Sequence, residues 1–204
     1  MPQLMVKSEG FACLSKARPG AASGISLIEV AIAILVISVG ALGLAGMQLS
    51  AKRAGFEAVQ RTNASGLAMD ILERMRANPG VLDNYAVAGV DGDDLSAPAN
   101  TCGTTCTEAE VAILDLWEWE QALAGAAETK GGNAVGGLLN PTGCITVNDG
   151  EVQVAIAWQG FETLSNSPVD RSDCGSGIGK YDGDGGEVDA KRHLLVVDSF
   201  ITDG

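Results

Sequence analysis

Gly24-Ile25-Ser26-Leu27-Ile28-Glu29 runs directly into Val30-Ala31-Ile32-Ala33-Ile34-Leu35-Val36-Ile37-Ser38-Val39-Gly40, and the rest of the chain is organised around this stretch. From Ile25 to Met47 there are 23 residues with Glu29 as the only charge. At about 1.5 Å per helical residue such a run extends roughly 35 Å, enough to cross a bilayer. The flanks define the kind of crossing. An ordinary secretory signal is cut after its apolar core, which is then lost. Here Gly24 precedes the core, so a cut after it leaves the apolar run as the new N-terminus. Upstream, Lys7, Lys16 and Arg18 stand against Glu9, the positive balance of a segment held on the cytoplasmic side.

Glu29 is the costly residue, because a carboxylate inside a membrane span is expensive and as a rule marks a function with a partner. A cut after Gly24 creates an α-amino group on Ile25, four residues or about one helical turn from Glu29. The two charges can pair within the chain or between neighbours. The plainer alternative is a membrane anchor whose Glu29 lies close enough to the interface to be solvated.

These residues resemble the class III signal of type IV prepilins and type II secretion pseudopilins, whose usual form is Gly-Phe-Thr-Leu-Ile-Glu. Ile25 replaces Phe and Ser26 replaces Thr, and both changes keep the character of the site. The resemblance implies that a prepilin peptidase cuts after Gly24 and methylates Ile25 at its nitrogen, and that Glu29 sets the register of the subunit in a filament.

At 204 residues the chain has the size of one domain plus an anchor. The first 24 residues carry three bases and one acid, so without them the net charge moves from −13 to −15. So acidic a chain does not bind nucleic acid, which requires a basic face; proteins, basic surfaces or cations are its expected partners. Aromatic residues make up only 4% and glycines number 27, which predicts a modest core and long loops. Of the five cysteines, Cys13 lies in the expected leader, leaving Cys102, Cys106, Cys144 and Cys174. An even set in an exported domain predicts two disulfides in an oxidising periplasm. Three connectivities are open. Closeness in sequence favours Cys102 with Cys106, and Cys144 with Cys174 would then clamp a long loop. Zinc is disfavoured, because the Cys-x3-Cys has no matching pair and His193 is the only histidine.

After Met47 the helical pattern continues through residues 48–77 without a proline and ends at Asn78-Pro79-Gly80, a strong stop signal. Ala64, Leu67, Ala68, Ile71, Leu72 and Met75 recur at helical spacing, with the charged residues mostly elsewhere. One helix from near Ile25 to near Ala77 is expected, its first half in lipid and its second half laid against a globular domain. Gly40, Gly43 and Gly46 interrupt the apolar half. They are read either as ordinary close-packing glycines of a membrane helix or as a segment that loosens when the subunit leaves the membrane.

Residues 80–106 read as loop. Thr107-x-x-Glu110 matches a capping box and starts a helix to about Ala124, with Ala112, Leu116, Trp119 and Leu123 on one face and Asp115 and Glu118 solvated. Trp117 and Trp119 are expected in the core rather than on a binding surface. Residues 131–137 are glycine-rich. Then residues 144–147 read as a strand, Asn148-Asp149-Gly150 as a tight turn, and residues 151–159 as the partner strand with Val152, Val154, Ile156 and Trp158 facing the core. A loop over 160–191 and a last strand over 193–201 complete an antiparallel meander. The predicted class is α+β: a long N-terminal helix packed on a small antiparallel sheet, with one additional short helix.

Glu73-Arg74-Met75-Arg76-Ala77-Asn78-Pro79, the Cys-x3-Cys followed by an Ala/Asp/Trp helix, and the Val-x-Val-x-Ile-x-Trp strand narrow the resemblance to the type IV pilus modification protein family, the PilV-type minor pilins. It runs from the leader to Trp158, with a weaker echo in the last strand, and residues 160–191 have no counterpart. It implies a pilin-like fold divided into a cleaved leader over 1–24, a filament-core helix over 25–47, its amphipathic continuation over 48–79 and a periplasmic globular domain over 80–204. The implied partners are other minor pilins, the major pilin, the prepilin peptidase, the inner-membrane assembly platform and a tip adhesin. A minor pseudopilin of type II secretion shares the signal and anchor, but the Arg-Met-Arg-Ala-Asn-Pro ending and the cysteine pattern argue against it. A membrane-tethered binding module is the alternative of a different class.

No Gly-x-Ser-x-Gly elbow, P-loop or His-Glu-x-x-His is present, so the common hydrolase and nucleotide signatures are missing and no enzyme is expected. His193, at a strand start, is read as structural. Asp182, Asp184, Glu187 and Asp189, spaced among glycines, are the one set that invites Ca2+. The stretch is not an EF-hand loop, since Glu187 occupies the sixth position, where glycine is required. A solvated acidic loop and no cofactor is the preferred reading.

Overall fold

The computed structural model describes residues 24–92, 94–103, 105–126, 128–134, 136–164 and 171–202. The expected leader, with Cys13, therefore lies outside the described residues except for Gly24. The chain divides into two compact units, Met1–Met47 and Gln48–Gly204, and each is described by itself. The elements belong to the α+β class that the sequence predicts: a long N-terminal apolar helix, one short helix and a small antiparallel sheet.

In the first unit the described residues are the head of helix α1, Leu27–Ala77. All of residues 24–47 are exposed. An 18-residue window of α1 has a mean hydropathy of 2.6, so the helix is long and apolar enough to cross a membrane by length and composition. An apolar surface of this extent left uncovered marks a membrane or protein contact.

In the second unit, α1 buries Gln60, Ala64, Ala68, Ile71, Leu72 and Met75. The last five belong to the predicted stripe, whose sixth member, Leu67, is half-buried at its rim, and Gln60 extends the buried face beyond the prediction. The helix stops where Asn78 and Pro79 follow it, and Pro79–Tyr85 forms a 3-10 helix, since proline suits a helix start and cannot continue one. Strand β1, Val87–Val90, comes next. Residues 80–106 were expected to be loop throughout; β1 and the 3-10 helix correct this. Ala88 and Gly89 leave β1 little strand character of its own, and it exists through its pairing with β4, with an irregular register from Val87↔Ile145 to Val90↔Gly143.

Helix α2, Glu108–Ala124, opens with the predicted capping box. The Thr107 hydroxyl accepts from the Glu110 N–H, and the Glu110 side chain accepts from the Thr107 N–H. The helix ends at Gly125, whose φ of 75° is left-handed. Ala112, Leu116, Trp119 and Leu123 are buried as expected. Trp117 is only half-buried, because residues two apart on a helix point to different sides and cannot both face the same core. Trp119 donates its indole N–H to the Leu67 carbonyl at 2.9 Å. Its ring lies over Gly143, where an added Cβ would come within 2.5 Å of it.

The glycine-rich segment holds a two-residue-per-strand hairpin, β2 Thr129–Lys130 with β3 Asn133–Ala134. Its turn, Gly131-Gly132, has positive φ at both residues. Strands β4, Thr142–Asn148, and β5, Glu151–Gln159, pair across the tight turn at Asp149-Gly150, again with positive φ at both positions. Strand β6, Arg192–Phe200, completes an antiparallel sheet of order β1-β4-β5-β6. Val152, Val154, Ile156 and Trp158 join the core formed with both helices.

The opposite face of the sheet is not left to solvent. Cys144, Ala155 and Cys174 are buried there, with Leu194 and Val196 packed against them. The loop before β6 therefore has a structural part to play. Cys174 is bonded to Cys144, and Cys102 to Cys106. The Arg192 guanidinium, fully buried, donates to the Cys174 carbonyl at 2.8 Å and holds the loop down from the strand side.

Candidate functional site

Gly24, Ile25 and Ser26 precede α1 without regular structure, and all three are exposed. The Ser26 carbonyl accepts from the N–H groups of Glu29 at 3.0 Å and Val30 at 3.3 Å, which makes Ser26 the residue that opens the helix. Glu29 lies in the first turn, where the positive end of the helix dipole favours a carboxylate. Ser26-x-x-Glu29 also has the spacing of a capping box, a signal that sequence reasoning applied to Thr107 and overlooked here. Because α1 starts at Leu27, Ile25 and Glu29 are not a turn apart on one helix face. Among the described residues no hydrogen bond or ion pair engages the Glu29 carboxylate.

A second constellation closes α1 onto α2, and it is built from the Glu73-Arg74-Met75-Arg76-Ala77-Asn78-Pro79 stretch. The Arg74 guanidinium donates to Asp115 at 2.9 Å, to Glu118 at 2.7 Å and to Asp70 at 3.0 Å. The Tyr85 hydroxyl donates to the other Asp115 oxygen at 2.7 Å, and the Asn78 amide donates to the Tyr85 oxygen and to the Glu108 carbonyl. Asp115, expected in solvent, is thus the hub of the junction, with only 13% of its side chain exposed. Glu118 remains largely in water but is also committed to Arg74. Helical periodicity puts both acids on a polar face and cannot show that Arg74 and Tyr85 come to meet one of them.

Burial tends to lower the Arg74 pKa. Its hydrogen bonds to Glu118 and Asp115 and the charge of Asp70 outweigh that, so the guanidinium is held charged. Tyr85 is raised above the ordinary phenol value by burial and then by its bond to the Asp115 carboxylate. Tyr181, donating to the Asn140 carbonyl at 2.9 Å, is pushed up to about 12, chiefly by burial. Both tyrosines therefore keep a proton in the folded chain that the unfolded chain releases near pH 10. Their contribution to stability is complete below that pH and declines as pH rises toward 12. Unfolding titrations between pH 9 and pH 12 are expected to show this decline, and Tyr181→Phe to flatten it; an unchanged slope in the variant would remove Tyr181 as a cause.

Glu120 escaped sequence reasoning altogether. It is fully buried in α2 and accepts the N–H groups of Gly92, Asp94 and Leu95 at 2.8 to 3.3 Å, pinning the turn after β1. A glutamate between Trp119 and Gln121 gives no hint of this, because glutamate is almost always solvated unless it is paired.

The acidic loop does not converge. The Asp189 carboxylate accepts from Ser176 and the Gly177 N–H, Asp184 pairs with Lys191, Asp182 accepts the Asp189 N–H, and Glu187 accepts the Gly185 N–H. Among the described residues no three acidic, histidine or cysteine side chains gather in a way that could hold a metal ion. His193 packs beside Trp158, with ring centroids 5.8 Å apart.

Residues 46–117 match a protein-family model described as Tt1218-like, type IV pilin Tt1218. The likeness is to a type IV pilin. It covers 72 of the 204 residues, from the end of the apolar run through the Arg74 junction to the first half of α2. It begins beyond Gly24 and Glu29 and does not single out the PilV-type subfamily. No curated protein and no solved structure matches the chain.

Proposed function

We propose that the chain is a minor subunit of a type IV pilus, inserted in the bacterial inner membrane with its globular domain in the periplasm. After the prepilin peptidase cuts behind Gly24 and methylates Ile25, the subunit joins other minor pilins and the major pilin on the assembly platform. It helps to prime assembly at or near the filament tip, in support of twitching motility, adhesion or DNA uptake. The role is structural, without catalysis or cofactor.

One observation carries this reading. The Gly24-Ile25 bond is exposed and outside any helix, directly ahead of a wholly exposed apolar run whose only charge is Glu29. A peptidase can reach that bond, and a filament core can bury that run. The pilin likeness of the adjoining residues supports it. The Ile25 nitrogen, lying outside the helix, suits a bond to Glu29 of a neighbouring chain better than one within its own. Mass spectrometry of the mature N-terminus is expected to find N-methylated Ile25; a chain that retains Met1 would end the pilin reading.

A further inference from the structure

The outer face of the sheet, opposite the helices, carries a seat for the stretch around Cys174. Ala155 and Ala157 of β5 are small and buried, and the backbone of Gly175 comes down beside them. A Cβ on Gly175 would lie 3.3 Å from the Ala157 methyl and 2.8 Å from the Tyr181 ring. Its φ of 70° is left-handed as well, so both space and backbone call for glycine. Tyr181 fastens the same stretch to the sheet. Its hydroxyl donates to the Asn140 carbonyl at 2.9 Å and lies 2.7 Å from the Thr142 hydroxyl.

Two buried charges hold the chain on both sides of Cys174. The Arg192 guanidinium, fully buried, donates through Nη1 to the Cys174 carbonyl at 2.8 Å and to the Ser172 carbonyl at 3.3 Å. The Asp189 carboxylate, 7% exposed, accepts from the Ser176 hydroxyl at 2.7 Å and from the Gly177 N–H at 3.0 Å. The two charges lie 3.9 Å apart, Nε to Oδ2. Ser172, Cys174, Ser176 and Gly177 are thus all held by one ion pair. As a source of stability the pair is poor. Nε and Nη2 of Arg192 are buried without a hydrogen bond among the described residues, and a buried ion pair as a rule stabilises no more than apolar side chains of the same size. What its directed bonds supply is position. None of these bonds uses a sulfur atom, so all of them can form before the disulfide exists.

We propose that the Arg192–Asp189 pair seats the Cys174 stretch on the sheet while the cysteines are still reduced, and so directs Cys174 to Cys144 during oxidation. Arg192 and Asp189 are positioning residues in this step. Closure entropy changes slowly with loop length, so chain length alone hardly favours Cys174 over Cys106 as the partner of Cys144. Seating makes the choice. The oxidant is an external disulfide. With the stretch lifted off the sheet, the Cys174 thiolate attacks that disulfide, forms a mixed disulfide and releases one donor thiolate. On reseating, the Cys144 thiolate attacks the Cys174 sulfur, the Cys144–Cys174 bond forms and the second donor thiolate leaves, so that two electrons pass to the donor. The inference does not depend on the pilus reading.

Thiol reactivity of the full chain in detergent micelles tests it, with Cys13→Ser so that only the cysteines of the domain remain. In the reduced chain Cys144 and Cys174 are expected to react with N-ethylmaleimide at least about tenfold more slowly than Cys102, read peptide by peptide in a mass spectrometer, because the seat keeps them buried. A Cys174 as reactive as Cys102 overturns the proposal, whatever the variants do. Arg192→Gln is expected to raise the Cys174 rate at least about tenfold with helix content retained, and to lower the effective concentration of the Cys144–Cys174 pair against glutathione by a similar factor. An unchanged rate or an unchanged effective concentration overturns it. Ile71→Ala loosens the core on the other face of the sheet without touching the seat, and is expected to leave Cys174 slow. Equal acceleration in that variant also overturns the proposal, since the reactivity would then report general instability. Should Arg192→Gln fail to fold, Arg192→Leu/Asp189→Asn removes both charges together, with asparagine suited to the left-handed φ of 55° at position 189, and the same two readings decide.

Discussion

A Glu29→Ala chain is expected to insert and to be cut after Gly24, yet to be recovered in filaments at a level at least tenfold below the wild type. Glu29 is the only charge in the 23 residues from Ile25 to Met47, and removing it makes membrane residence easier, so insertion does not suffer. In a filament core the carboxylate is desolvated and must be matched, and the α-amino group of a neighbouring chain's Ile25 is the charge the proposed processing creates. Deleting one member of a desolvated, hydrogen-bonded charge pair costs about 2–5 kcal/mol, which is thirtyfold or more in an association equilibrium. Fractionation of cells into membranes and sheared filaments, followed by quantification of the chain in each, reads the effect directly. Wild-type recovery in filaments would remove Glu29 from assembly and leave it as a helix-opening acid beside Ser26. Glu29→Gln separates charge from shape, because it keeps the size of the side chain but loses the charge, and it is expected to fail nearly as badly as alanine.

The second large effect concerns the clamp over the sheet. Cys144 and Cys174 are 30 residues apart in sequence, and opening a loop of that length in the unfolded chain corresponds to about 3.6 kcal/mol by loop entropy. Cys174 also keeps the stretch before β6 against Ala155, Leu194 and Val196. The double variant Cys144→Ala/Cys174→Ala is therefore expected to lose about 3–4 kcal/mol, roughly 6–16 °C in midpoint for a domain of this size. Removing the other disulfide, whose cysteines are only four residues apart, is expected to cost about half as much, since a short loop restricts the unfolded chain less. Denaturant unfolding of the two double variants in micelles ranks them. The reverse order would show that the clamp over β4 and β5 contributes little beyond packing.

Several parts of this architecture are plain in the residues because their signals are local. The capping box at Thr107, the stop at Asn78-Pro79, the turn at Asp149-Gly150 and the alternation from Val152 to Trp158 each depend on neighbours within a few positions. The apolar run and Gly24-to-Glu29 are local in the same sense, and the proposed function rests on them. β1 was missed because four residues containing Ala88 and Gly89 become a strand only when β4 is there to pair with them. Asp115 and Glu120 were missed for a related reason. Each sits on α2 in an ordinary polar position, and what buries it comes from Arg74 and Tyr85 in one case and from the backbone of residues 92–95 in the other.

Helix, turn and strand periods, together with an unmatched carboxylate in an apolar run, are properties of consecutive residues and need no tertiary structure to be recognised. The pairing of four cysteines among three connectivities, the covering of the second face of the sheet and the meeting of Arg74 and Tyr85 at Asp115 are of another kind. They depend on which distant segments approach to within a few ångströms, such as the Cα atoms of Cys144 and Cys174 at 5.8 Å, and only the packed chain sets those distances.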